Sequence, residues 1–117
     1  FAAVIKEVDV YDFAQAAWIT LASPQGDVPT HGQARQSLTF GHDYFLIGGE
    51  SGSKKLAHSE VDALDPVRGS WRSMPPLSAG RHASQPVLFE GNVYLPAGSI
   101  TRGGTETDSQ EVCRLQS

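Results

Sequence analysis

The chain has 117 residues, with 13 acidic and 9 basic side chains, which gives a formal net charge of −4. The basic residues are dispersed, whereas a nucleic-acid footprint needs a clustered basic stripe, so we expect no nucleic-acid partner. No apolar run approaches the roughly 20 residues that span a bilayer, so we expect no membrane association. Cys113 is the single cysteine, which excludes a disulfide within the chain and leaves its redox compartment open.

One stretch of the sequence occurs twice, at a spacing of about 50 residues, which is typical of repeat proteins. Residues 7–12 read EVDVYD and lead to Trp18, and residues 60–65 read EVDALD and lead to Trp71. Glu111-Val112 then looks like the start of a third copy. Because each unit of a repeat protein buries its faces against its neighbours, the period predicts a stack of similar units.

Each unit is predicted to consist of four short strands. The first two strands are apolar at nearly every position, which predicts burial on both faces, and the third strand alternates more. Asp12 and Asp65 are expected to start the turns that lead to the fourth strand. In chain order the predicted strands cover residues 8–11, a strand from 18, 36–40, 44–47, 61–64, a strand from 71, 85–89, 93–96 and a strand from 111. Helix content should be close to nil.

This pattern resembles the kelch repeat. The motifs that carry the resemblance, in the order of that family, are Gly48-Gly49, Glu60-Val61, Asp65-Pro66, Trp71 and Arg81-His82. Ala97 departs from the pattern, because it stands where the first glycine of a pair is expected. The resemblance implies an all-β chain that forms a kelch-type β-propeller segment, with a little over two four-stranded antiparallel blades.

The resemblance also divides the chain into blades. Residues 1–30 would supply the outer strands of one blade, residues 31–80 one full blade, and residues 81–117 the first three strands of the next. A closed propeller typically needs at least four blades. The wedge would therefore leave two apolar faces uncovered. We expect these two faces to be covered by further kelch blades in the same protein or by self-association.

One rim of the blades is the predicted binding surface. The loop after the second strand and the loop before the first strand emerge on the same rim, and long loops on a rigid scaffold often carry binding residues. The candidate binding residues on this rim are His31, Glu50, His58, Arg81, His82 and Arg102. Each has a structural alternative. Arg81 and His82, and His31 as their counterpart in the earlier unit, would bind loop carbonyls; His58 would cap a loop.

Motif searches predict no catalytic residue, no metal ligand and no cofactor. The histidines lack the short spacing of zinc ligands. The nucleophile-elbow pattern G-x-S-x-G is absent around Ser51. No glycine-rich loop ends in the Gly-Lys-Ser or Gly-Lys-Thr that cradles phosphate.

These observations favour a scaffold that binds a protein or carbohydrate ligand rather than an enzyme. An alternative is part of a propeller enzyme, similar to galactose oxidase or to the kelch-type sialic acid epimerases, whose site is completed by missing blades. Arg81, His82 and Glu50 are the residue types that such an epimerase uses. A purely architectural segment is the third interpretation. The loop sequences are similar to those of secreted bacterial kelch chains, which favours a secreted or periplasmic location.

Overall fold

The computed structural model describes residues 7–21 and 33–114, and all regular structure in these ranges is β-strand. The strands are β1 (Asp9–Asp12), β2 (Ala17–Thr20), β3 (Gln36–Phe40), β4 (Asp43–Ile47), β5 (Val61–Asp65), β6 (Ser70–Met74), β7 (Val87–Phe89), β8 (Asn92–Pro96) and β9 (Gln110–Arg114). They form antiparallel sheets of two, four and three strands, in the orders β1-β2, β3-β4-β5-β6 and β7-β8-β9. The prediction of an all-β fold without helices is confirmed, and the sheets are consistent with a kelch-type propeller segment. The described ranges accordingly hold no helix with the length and hydropathy needed to cross a membrane.

The two aspartate turns are built in the same way. The Oδ1 atoms of Asp12 and Asp65 each accept hydrogen bonds from the backbone N–H groups two and three residues on, at 2.9 and 3.2 Å in both turns. Such side-chain acceptors replace part of the turn's own hydrogen bonding. Ala16 has the positive φ of 52° that Gly69, with φ 68°, has in the second turn. The prediction that these aspartates start turns is confirmed, although the first turn lacks proline and glycine.

The hydrophobic core lies between the second and third sheets. Phe45, Ile47 and Ala63 of the second sheet pack with Leu95 of the third, and all four are at most 5% exposed. These residues alternate along β4 with less buried ones, so one face of the sheet points into the core. The shared core joins the two sheets.

The prediction of burial on both faces is wrong for β7 and also for β3, in which Ser37 and Thr39 are exposed. Val87, Leu88 and Phe89 are 51%, 38% and 59% exposed, because β7 is the edge strand of the third sheet and no described element covers it. The strand also begins at Val87 and not at residue 85. Pro86 has no backbone N–H to donate to the strand ladder, which explains the later start.

The strand registers align the units and correct one of the sequence matches. Tyr11 pairs with Trp18, and Leu64 pairs with Trp71, as the repeat predicts. However, Leu46 pairs with Asp62 whereas Leu95 pairs with Glu111. Glu111 is therefore the counterpart of Asp62, and its match with Glu60 was wrong by two residues. The shared Glu-Val dipeptide caused the error, because the strand ladder follows the distance from the preceding strand.

Candidate functional site

Two loops from successive sheets form the candidate site. The β4–β5 loop covers residues 48–60, and the β8–β9 loop covers residues 97–109. Their backbones are joined by hydrogen bonds from Ala57 N to Ile100 O (2.9 Å) and from Arg102 N to Lys55 O (2.8 Å). The two loops therefore meet on one rim and are held in a fixed relation to each other.

Glu50 and His82 connect the loops beneath their surface. The Oε2 atom of Glu50 accepts a hydrogen bond from Gly103 N at 2.7 Å and lies 3.5 Å from His82 Nε2. The same His82 nitrogen lies 2.7 Å from the carbonyl oxygen of Thr101. Because a carbonyl only accepts, His82 Nε2 carries the proton and donates it. The side chains of His82 and Glu50 are 5% and 14% exposed, so both lie mainly within the contact between the loops.

Arg102 reaches the surface of the same rim. Its Nη1 atom donates a hydrogen bond to Gly52 O at 2.8 Å, across the contact between the two loops. The residue as a whole is exposed to solvent. Among the predicted binding residues that the structure describes, Arg102 is the exposed one. His31 lies outside the described residues.

Arg81 is buried beneath the rim, with its side chain only 1% exposed. Its guanidinium group ends at the base of the β8–β9 loop, where Nη2 forms an ion pair with Glu111 at 3.2 Å. Nη1 donates to the carbonyl oxygens of Leu95, Ala97 and Ser109 at 3.0–3.2 Å. A buried charge needs such partners to offset the loss of its hydration. The carboxylate of Glu111 also accepts hydrogen bonds from the N–H groups of residues 78 and 79.

Arg35 makes the equivalent set of contacts in the second sheet, and the sequence analysis did not identify it. It forms an ion pair with Asp62 at 2.9 Å, and the two side chains are 4% and 2% exposed. It also donates to the carbonyl oxygens of Leu46, Gly48 and Glu60 at 2.7–3.1 Å. The available signal was Asp62, a carboxylate within an otherwise apolar strand, because such a residue needs a cationic partner.

In the earlier unit, Gln33 occupies the position that His82 has in the later unit. Gln33 pairs with Glu50 as His82 pairs with Ser99, and the next residues, Ala34 and Ala83, both have positive φ (53° and 58°). The match between His31 and this position was therefore wrong by two residues. The segment between Trp18 and the strand β3 is longer than its counterpart, and no local motif marked where the extra residues lie.

His58 lies in a chain of hydrogen bonds within the β4–β5 loop. Its Nε2 atom is 2.8 Å from Ser51 Oγ, and its Nδ1 atom is 3.1 Å from Glu60 Oε2. Ser51 Oγ is also 3.2 Å from Ser53 Oγ. The imidazole is mostly buried, with 12% of the side chain exposed, whereas the carboxylate of Glu60 is 37% exposed. Within residues 7–21 and 33–114, no three His, Cys, Asp or Glu side chains form a group that could hold a metal ion.

The antiparallel four-stranded sheet, the aspartate turns and the fixed contact between successive rim loops are consistent with the kelch repeat that the sequence resembles. A comparison with protein-family models finds no match. Among curated proteins, the chain is 26% identical over 106 residues, or 89% of its length, to the Kelch-like protein terF of Aspergillus terreus. This similarity supports the kelch resemblance that the sequence predicts, at a large evolutionary distance. It spans 22% of that relative's length.

Proposed function

We propose that the chain is a sector of a kelch-type propeller that binds a protein or carbohydrate ligand on the rim formed by the β4–β5 and β8–β9 loops. The hydrogen bonds that join the two loops carry this proposal. Loops that are already ordered lose little conformational entropy when a ligand binds, which favours affinity. The fungal relative is named a Kelch-like protein, a name that states no ligand.

Arg102 is the residue of this rim that would contact the ligand. Its guanidinium fork suits a carboxylate or the hydroxyl pair of a sugar, because it offers several donors in one plane. Lys54 and Lys55 are exposed on the facing loop and add positive charge to the same surface. Glu50, His82 and Arg81 would support the loops from below, since each is engaged with residues of the scaffold.

The blade division is part of the same proposal. Residues 1–30, 31–80 and 81–117 would belong to three successive blades, and the outer sheets would pack against further blades or against a second copy of the chain. The apolar side chains exposed on these sheets support this packing. They include Trp18 at 71%, Phe89 at 59% and Val112 at 53% exposure. Large exposed apolar patches usually mark such contact surfaces.

A photo-crosslinking experiment on the intact protein in its natural host tests whether the rim binds a protein. A benzoylphenylalanine at position 55 should crosslink to a partner, whereas the same residue at position 67 should not. Val67 is a suitable control because it is 89% exposed and lies in the β5–β6 turn, on the opposite rim. Equal crosslinking from both positions would contradict the assignment of the rim.

A glycan array tests the carbohydrate alternative with a matched pair of arginine substitutions. Arg102→Gln should abolish binding of any recognised glycan, whereas Arg68→Gln should leave binding unchanged. Arg68 has the same charge, its side chain is 82% exposed, and it lies in the β5–β6 turn. If Arg102→Gln binds every array glycan as the unsubstituted protein does, Arg102 is not part of a carbohydrate site.

A further inference from the structure

We infer that Ser51, His58 and Glu60 form a nucleophilic relay that transfers the acyl group of short-chain carboxylic esters. The distances of 2.8 Å between Ser51 Oγ and His58 Nε2 and of 3.1 Å between His58 Nδ1 and Glu60 Oε2 carry this inference. Both lie in the range of about 2.6–3.2 Å that such relays require between nucleophile, base and orienting acid. The inference does not depend on the proposed binding function.

The assignment of the two ring nitrogens gives His58 the protonation that a general base needs. The carboxylate of Glu60 accepts a hydrogen bond, so the neutral imidazole carries its proton on Nδ1. The lone pair of Nε2 then faces the hydroxyl group of Ser51 and can take its proton. Serine hydrolases use this arrangement, which is recognised by geometry and not by sequence position. The missing G-x-S-x-G motif therefore does not argue against the relay.

Backbone contacts with the surrounding loops fix the position of His58, the general base. The backbone N–H of His58 donates a hydrogen bond to Gly49 O at 2.8 Å. Gly80 lies so close that a Cβ atom there would be 2.6 Å from the carbonyl carbon of His58. Contacts of this kind restrict the backbone from which the imidazole projects, and preorganised groups lose less entropy on the way to the transition state. The relay is therefore part of the folded loop.

The surroundings of Ser51 indicate the class of substrate. Ser51 is partly exposed in the β4–β5 loop, and the apolar cleft between the second and third sheets is lined by other residues, among them Phe45 and Leu95. Because Ser51 does not line this cleft, we expect it to accept only a short acyl chain.

The reaction follows from these positions. Ser51 Oγ attacks the ester carbonyl carbon while its proton moves to His58 Nε2, and the same proton then moves to the departing alkoxide, which leaves as an alcohol. The product is an acyl ester of Ser51. Water attacks this ester, gives its proton to His58, and releases a carboxylic acid when the proton returns to Ser51 Oγ. The reaction as written consumes ester and water only and needs no oxidant, metal or cofactor.

The test uses diisopropyl fluorophosphate and p-nitrophenyl acetate on the intact protein. Phosphorylation with loss of fluoride should occur at Ser51, located by peptide mass spectrometry, and p-nitrophenol should be released catalytically. Ser51→Ala should abolish both. His58→Gln should slow ester hydrolysis by about 10²–10⁴-fold, the usual contribution of a general base. Ser37→Ala is the control, because it removes an exposed hydroxyl on β3, outside the relay, and should leave both reactions intact.

Two results would overturn the inference. One is a folded protein that diisopropyl fluorophosphate does not label and that does not hydrolyse p-nitrophenyl acetate. The other is labelling or ester hydrolysis that persists in Ser51→Ala. Thermal unfolding of each variant separates these results from misfolding, and Ser51→Ala decides alone if His58→Gln unfolds. Loss of ligand binding by Arg102→Gln with normal labelling of Ser51 would support both proposals separately. Labelling without any rim ligand would leave the relay in place and reject the binding function.

Discussion

Arg35 and Arg81 place their guanidinium groups at equivalent points of successive sheets, although they start from different positions in the repeat. Arg35 lies directly before β3, whereas Arg81 lies six residues before β7. The acceptors of Arg35 are the carbonyls of Leu46, Gly48 and Glu60 and the carboxylate of Asp62, and those of Arg81 are the carbonyls of Leu95, Ala97 and Ser109 and the carboxylate of Glu111. The strand registers make these two sets of acceptors equivalent. A guanidinium group therefore occupies this point in both sheets, although the arginine that supplies it comes from a different position of the repeat in each.

Loss of the Arg81 charge should strongly destabilise the protein. Arg81→Met removes the ion pair of Glu111 and the guanidinium donor of three carbonyl oxygens, although the carboxylate keeps its hydrogen bonds from residues 78 and 79. Removing one partner of a buried ion pair typically costs about 3–5 kcal/mol. Denaturant unfolding of the intact protein, followed by tryptophan fluorescence, measures the change. Arg68→Met is the control, and because its side chain is 82% exposed, it should change the free energy of unfolding by less than about 0.5 kcal/mol. Equal effects would contradict the role of Arg81.

An arginine supplied from the other position should restore part of this stability. Ser84 is the counterpart of Arg35, because Ala83 and Ala34 precede them with the same positive φ. The double variant Arg81→Met/Ser84→Arg should therefore recover about half of the lost free energy, or about 2 kcal/mol. Arg81→Met/Ser84→Gln is the control, since glutamine adds length without charge. The equivalence fails if arginine at position 84 stabilises the protein no better than glutamine does.

The sequence predicted the strands and turns because their signals are local. Asp65 accepts hydrogen bonds from residues two and three positions on, and Trp71 lies opposite Leu64 across one turn. The ion pair of Arg35 and Asp62 joins residues 27 positions apart, so it depends on the register of two strand pairs. No spacing rule within the sequence reveals such a pair.

The candidate site was only partly predictable for a similar reason. The meeting of the two long loops on one side was predicted correctly from strand direction, since alternating strands require it. Which side chains remain exposed on the rim depends on how deeply each loop packs, and only the structure separates Arg102 from Arg81. The relay of Ser51 and His58 depends on a turn within the loop that brings residues seven positions apart together.

Glycine and alanine at equivalent points of the two rim loops should respond to substitution in opposite directions. Gly48 and Ala97 have φ values of 64° and 54°. Gly48→Ala should lower stability by at least about 1–2 kcal/mol, the cost of a left-handed alanine, and its Cβ would also overlap the carbonyl oxygen of Arg81. Ala97→Gly should raise stability by about 0.5–1 kcal/mol, because relief of this strain exceeds the entropy cost of glycine.

Thermal unfolding of the two variants beside the unsubstituted protein measures both effects. Ala34→Gly serves as a second case of relieved strain, because Ala34 also has a positive φ of 53°. Its melting temperature should rise together with that of Ala97→Gly. If Gly48→Ala and Ala97→Gly shift the melting temperature in the same direction, backbone conformation does not decide the residue preference at this point of the loop.

The ion pair of Asp43 and Arg72 should make stability depend on pH in acid. Arg72 donates to both carboxylate oxygens of Asp43, at 3.2 and 2.8 Å, and these hydrogen bonds hold the pKa of Asp43 below its ordinary value. The ionised carboxylate therefore stabilises the fold above the unfolded pKa of about 3.9, and this contribution is lost as the pH falls through the lower folded pKa.

Asp43→Asn tests this dependence. At pH 7 the variant should be less stable by about 0.2–1 kcal/mol, a value typical of pairs that remain partly open to solvent; the two side chains are 28% and 49% exposed. The difference should shrink towards zero in acid, because the unsubstituted carboxyl group is then protonated as well. Melting temperatures of both proteins from pH 7 to pH 2 measure it. Asp108→Asn, a change at an exposed carboxylate in the β8–β9 loop, is the control. A difference between Asp43→Asn and the unsubstituted protein that stays constant down to pH 2 would show that the pair does not stabilise the fold through charge.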